Sequence, residues 1–199
     1  MKTVNKWIKI GLLIYVIYEF ITRLMNGDTD RLMVVLAVLP VLLVPFFVRK
    51  VLKYPLSDRL EFCFWIFIFL AQILGCVENW YHSVSWFDLF THFISGIVTC
   101  VIGLVLLKQY RLLDSKYLWL QIIFLLSITL GVASLWEFFE FSLDTFTGSN
   151  VQWVIETGVT DTMTDMLIAF AGSILFSVVY LGAMKKAPKK TISFLKQSL

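Results

Sequence analysis

Six apolar runs of membrane length, with their acidic residues gathered toward one end, constrain this chain more than any other feature. They cover about residues 7–25, 32–48, 60–81, 87–107, 117–142 and 161–184. About 20 consecutive apolar residues suffice for a helix to cross the hydrocarbon core of a bilayer. The fold class that follows is all-α: a polytopic membrane helical bundle of six transmembrane helices. Composition agrees. Of the 199 residues, 59% are hydrophobic and 16% charged, whereas a soluble domain carries about a quarter charged residues. The length suits one integral membrane domain over residues 1–199, with a basic tail from residue 185, and no internal repeat is visible.

The runs differ in character. The first follows Lys2, Lys6 and Lys9, as a signal peptide would, but it contains Glu19 and Arg23 and has no small-residue cleavage site; a retained span is expected. The second holds Pro40 and Pro45 and no ionisable residue, which predicts a bent scaffold helix. The fourth and sixth carry small residues, among them Gly96, Thr99, Gly103, Ala169, Gly172 and Ser173, that allow close helix contact. Cys63, Cys76 and Cys100 all fall in apolar runs without a CxxC spacing and read as small packing residues.

Basic residues set the orientation. Of 17 Lys and Arg, only Arg23 and Arg31 fall outside the segments that six spans would place on one side. Cytoplasmic loops hold the Lys and Arg excess, so both termini are expected in the cytoplasm. The same scatter into short separate segments argues against a nucleic-acid partner; the expected partner is the lipid bilayer. Acidic residues sort the other way. Glu19, Glu78, Asp88, Glu137, Glu140, Asp144, Asp161 and Asp165 all fall toward the outer ends of their runs.

Three pairs stand out: Asp88 with His92 in FDLFTHF, Glu137 with Glu140 in LWEFFEF, and Asp161 with Asp165 in TDTMTDM. Spacings of three and four put each pair on one helix face. At 1.5 Å per residue, His92 and Asp165 sit about 6 Å deeper than Asp88 and Asp161. So many carboxylates in one partly desolvated layer repel one another, and protein cations are few there. A bound divalent metal would neutralise them. The candidate ligands are Asp88, His92, Glu137, Glu140, Asp161 and Asp165, with Glu78 as a further ligand or a supporting partner. Oxygen-rich sites suit Mg²⁺, Ca²⁺ or Mn²⁺, and one imidazole admits Zn²⁺ or Fe²⁺. The plainer alternative is a hydrogen-bonded network that locks helices together. Asp88 and Asp161 also stand where acidic caps are common. Asp28, Asp30, Asp144 and Glu156 read as solvated, and His82, among Trp80, Tyr81 and Trp86, as part of an interfacial aromatic belt. The segment VQWVI, around Trp153, is apolar enough to rest on the membrane interface or fold over the site.

The motifs WFDLFTHFISG, LWEFFEF and TDTMTDMLIAFAGSIL together resemble the YjdF-type bacterial inner-membrane proteins, an uncharacterised family. The resemblance covers about the second half of the chain and matches at Asp88, His92, Gly96, Glu137, Glu140, Asp161, Asp165 and Met166. More loosely, the helix order is similar to that of VanZ-like membrane proteins linked to glycopeptide resistance, whose pattern lacks the glutamate pair. The resemblance implies a membrane topology and a site, and no reaction.

Two functions fit these residues. One is a metal-dependent enzyme acting on a lipid or envelope substrate at the outer leaflet, with Glu140 as candidate general base. No GxSxG, HExxH, P-loop or Rossmann pattern accompanies it. The other is a non-catalytic cation-binding protein or a partner of envelope machinery. The inner halves of the runs hold almost no ionisable group, which argues against an ion relay.

Overall fold

The computed structural model describes residues 1–51 and 53–199, and among these no strand occurs. Ten α-helices follow one another in the described residues: α1 (Lys2–Asn26), α2 (Thr29–Leu42), α3 (Val44–Lys50), α4 (Asp58–Ile68), α5 (Trp80–Ser83), α6 (Phe87–Gln109), α7 (Leu118–Thr147), α8 (Val154–Thr157), α9 (Thr160–Lys186) and α10 (Pro188–Ser198). Among the described residues, five segments are long and apolar enough to cross a membrane: Arg31–Lys50, Asp58–Val77, Phe87–Gln109, Ser115–Thr147 and Thr160–Lys186. The protein is an all-α polytopic membrane bundle. The first run forms α1, 25 residues long, but its five charged residues leave it outside that apolar set.

Side-chain exposure fits a lipid solvent. Leu135, Phe138, Phe141, Leu167 and Val179 each expose more than 60% of their surface. In water such apolar patches would invite association; in hydrocarbon, lipid tails replace water as the neighbour.

The chain forms two compact units, Met1–Phe87 with Ser198 and Leu199, and Asp88–Gln197. In the first, α1 and α4 run parallel, with α2 and α3 returning between them in sequence. The starts of α1 and α4 meet where the Asn5 amide donates to the Asp58 carbonyl at 2.8 Å. Further along both, the Tyr15 hydroxyl donates to Glu78. The core joins Leu12 and Val16 of α1, Val35 and Val38 of α2, and Trp65 of α4 to Ile73 and Val77.

The bend expected from two prolines is present. α2 closes at Leu42, and α3 opens with Pro45 in its first turn, where a missing N–H leaves no bond unmade. The third run departs from expectation. It does not continue as one α-helix to residue 81. α4 passes into a π-helix over Phe69–Val77, and the run stops at Asn79, whose φ of 63° is left-handed. The Tyr81 ring folds back against Gly75, occupying the place a Cβ would take. An asparagine tolerates the left-handed region better than most residues, and that ends the helix ahead of the aromatic segment.

Two arginines of this unit pair with acids. Arg23 bridges Glu19 at 3.0 Å and Asp28 at 3.2 Å, and Arg49 holds Glu61 at 2.7 Å. Asp28, read from sequence as solvated, also caps α2 by accepting the Arg31 N–H.

In the second unit, α6 and α9 run parallel and α7 antiparallel to both. The Tyr180 hydroxyl, late in α9, donates to Gln121, early in α7, at 2.6 Å. Ser134, later in α7, meets Met166, earlier in α9. α6 and α9 touch backbone to backbone. A Cβ on Gly96 would run into the Ala169 carbonyl, and one on Gly172 into the Phe93 carbonyl. A turn further on, Cys100 packs against Thr129 of α7 and the Ser173 carbonyl, the small-residue role expected of it. The pairs Gly96 with Ala169 and Cys100 with Ser173 share one sequence offset, so the two helices stay in step.

Candidate metal centre

Counting back one turn from Gly96 and from Ala169 gives His92 and Asp165, the same offset again. Close approach of the two backbones therefore brings these side chains face to face. His92 Nε2 lies 3.7 Å from Asp165 Oδ2 and 3.5 Å from Asp88 Oδ1. Asp88 reaches it because it sits one turn earlier on the same face of α6. The three residues offer ligand atoms within 4.8 Å of one another. Donors held at 2.0–2.2 Å around a tetrahedral metal lie about 3.4 Å apart, so this spacing fits a cation with small adjustments.

Asp165 is the most confined member. It is 2% exposed, and its Oδ1 has no hydrogen-bond partner. A buried carboxylate oxygen without a donor is costly. His92 and Asp88 are partly buried, so the cluster opens toward the helix starts.

Glu137, Glu140 and Asp161 carry charges that reach the cluster. Glu140 on α7 is near enough to His92 for their charges to interact, and Glu137 near enough to Asp161 and Asp165. Glu137 is buried at 4% exposure. Asp161 is partly buried in the first turn of α9. Glu140 is held by its neighbour one turn back, whose Trp136 Nε1–H donates at 2.8 Å. Glu78 lies in the first unit, where it accepts from Tyr15.

Sequence reasoning missed Gln152, Thr162 and the part played by Asp144. Gln152 is 6% exposed, and its amide donates to the Glu137 carbonyl and carboxylate at 3.2 and 3.3 Å and to the Thr162 hydroxyl at 3.2 Å. Through Gln152 the 148–159 loop is tied back to the end of α7 and the start of α9. Asp144 anchors it, accepting from the Ser149 hydroxyl and from the backbone N–H groups of Val151 and Gln152. It clamps the loop while staying partly exposed to solvent. Gly148 and Gly158, with φ of 70° and 64°, turn the chain at either end of the loop. A lone glutamine in an apolar stretch was the available signal, and it is a weak one.

This arrangement defines a polytopic α-helical membrane protein with a His–carboxylate cluster between two parallel helices. The chain belongs to the predicted membrane protein family DUF2238, which matches residues 5–186 and is the YjdF-type family. A protein of Thermotoga maritima described as uncharacterized is 26% identical over 129 residues, 64% of this chain and 65% of its own length. The chain thus spans about two thirds of the relative it matches. No solved structure matches.

Proposed function

We propose that Asp88, His92 and Asp165 hold a divalent cation near the outer face of a six-span protein of the bacterial cytoplasmic membrane, with both termini inside. The supporting observation is Asp165 Oδ1, buried without a donor beside an imidazole nitrogen and a second carboxylate. Two carboxylates and one imidazole suit Mn²⁺, Zn²⁺ or Fe²⁺. Glu137, Glu140 and Asp161 form the surrounding charge, and Gln152 steadies Glu137.

A cation at this site would polarise a phosphoryl or carbonyl oxygen. The substrate class in reach of an outer-leaflet site is a lipid or other envelope molecule. Glu140, with one oxygen fixed by Trp136, would accept a proton from the attacking water.

A second reading has its own support. A protonated His92 facing Asp88 and Asp165 at 3.5 and 3.7 Å is already an ion triad, and it would lock α6 to α9 with no metal. This is the non-catalytic alternative, a structural cluster in an envelope-machinery partner.

Metal analysis of purified protein separates them. The cation reading expects about one equivalent in the wild type and loss of most of it in His92→Ala and Asp165→Ala. Metal-free wild type, or equal content in all three proteins, refutes it and leaves the lock. Catalysis is then read from turnover of outer-leaflet lipids, which Glu140→Gln should abolish while metal content stays.

A further inference from the structure

Where α1 and α4 begin, in the first unit, lies an open groove of about 450 Å³ between α1, α3 and α4. Lys2, Lys6 and Lys9 line it from one face of α1, at spacings of four and three residues, and Arg49 from α3. Against these four cations stand Asp58 and Glu61, leaving an excess of two positive charges. Arg49 is engaged by Glu61 at 2.7 Å, so the lysines are the cations facing open space.

The floor is unusual. Asn5 is 3% exposed, and its Nδ2 donates to the Asp58 carbonyl at 2.8 Å and to Glu61 at 3.4 Å. Its Oδ1 is buried and has no partner. A merely solvated lysine face would not enclose an orphan acceptor, because such a group calls for a donor. The groove therefore offers ammonium groups for an anion, and its floor holds an amide oxygen that lacks a donor.

We infer that this groove binds a phosphate that carries hydroxyl groups, of the kind found in a phosphatidylglycerol headgroup or a free polyol phosphate. Lys6 and Lys9 hold the phosphate, and Asn5 Oδ1 accepts from a hydroxyl. The site is separate from the His–carboxylate cluster and does not depend on it.

Calorimetric titration of the full-length protein in detergent tests this. The probes are dihexanoyl phosphatidylglycerol, glycerol 3-phosphate, and dihexanoyl phosphatidylcholine as control. Saturable binding of either of the first two is expected. Lys6→Gln with Lys9→Gln should weaken it about thirtyfold, at roughly 1 kcal/mol per lysine. Lys189→Gln with Lys190→Gln, in the basic tail, should leave it intact. Binding of phosphatidylglycerol alone identifies a membrane lipid as the source, and binding of glycerol 3-phosphate identifies a soluble ligand. No binding by either, equal binding of phosphatidylcholine, an unchanged affinity in the Lys6/Lys9 variant, or a loss in the tail variant overturns the assignment. Both lysines are exposed, so the substitutions leave the fold alone.

Discussion

Replacing Gly96 by alanine tests the contact on which the cluster depends. The added Cβ would overlap the carbonyl oxygen of Ala169 and crowd its carbonyl carbon. These are backbone atoms of a helix, so no side chain can swing away, and α6 and α9 must part. Overpacking a fitted site costs about 1–3 kcal/mol, and the rigid neighbour puts Gly96→Ala near the top of that range. The helical gain of Gly→Ala, about 0.5–1 kcal/mol, offsets only part. A net loss of about 2 kcal/mol lowers Tm by about 4–8 °C for a chain of this size. His92 and Asp165 lie one turn away, so their 3.7 Å separation should widen and metal content should fall. Gly131 is the control, because a Cβ there meets nothing within 4 Å and alanine should stabilise slightly. Thermal melts in detergent, followed by metal analysis, read both effects. If Gly96→Ala melts at or above the Gly131→Ala temperature, the backbone contact is not as described and the case for a preformed cluster fails with it.

Other substitutions probe separate parts. Gln152→Leu strips a donor from Glu137 and from Thr162; a loss of about 1–3 kcal/mol and faster protease cleavage within residues 148–159 are expected, and unchanged cleavage would show that the loop is held by other means. Tyr180→Phe removes the bond to Gln121 and should lower stability by about 1 kcal/mol without altering metal content, since it lies far along α9 from Asp165. Arg23→Gln leaves Glu19, 8% exposed, without its cation; a drop of about 1 kcal/mol in a melt is expected for a pair whose arginine is still partly exposed, and Lys at the same position should restore most of it.

Much of this was readable in the chain because membrane length and charge sorting are coarse, additive signals. The boundaries of α6 and α9 fell within two residues of the apolar runs. Helical spacing alone put Asp88 and His92 on one face. Small residues at 96, 169 and 172 announced a close crossing, yet nothing in the sequence says which partner helix they meet. That register, set by three-dimensional fit, is what selects Asp165 over Asp161 as the carboxylate facing His92. The π-helical turn of Phe69–Val77 left no local signature, since its apolar residues suit either helix type. The loop clamp was hidden because Asp144 and Gln152 are eight residues apart across a turn, and each alone resembles ordinary loop polarity.

The step-for-step alignment of α6 with α9 has a consequence for descent. Where two helices' main-chain atoms touch, bulk gained at one position cannot be accommodated by a smaller side chain opposite it, because every residue brings the same carbonyl. Sister proteins should therefore keep glycine at 96 and 172 whatever stands at 169 and 93, while the lipid-facing sides drift independently. A collection of relatives with bulky residues at 96 or 172 would mean that the two rods had slid past one another during evolution, carrying a different acid opposite the imidazole.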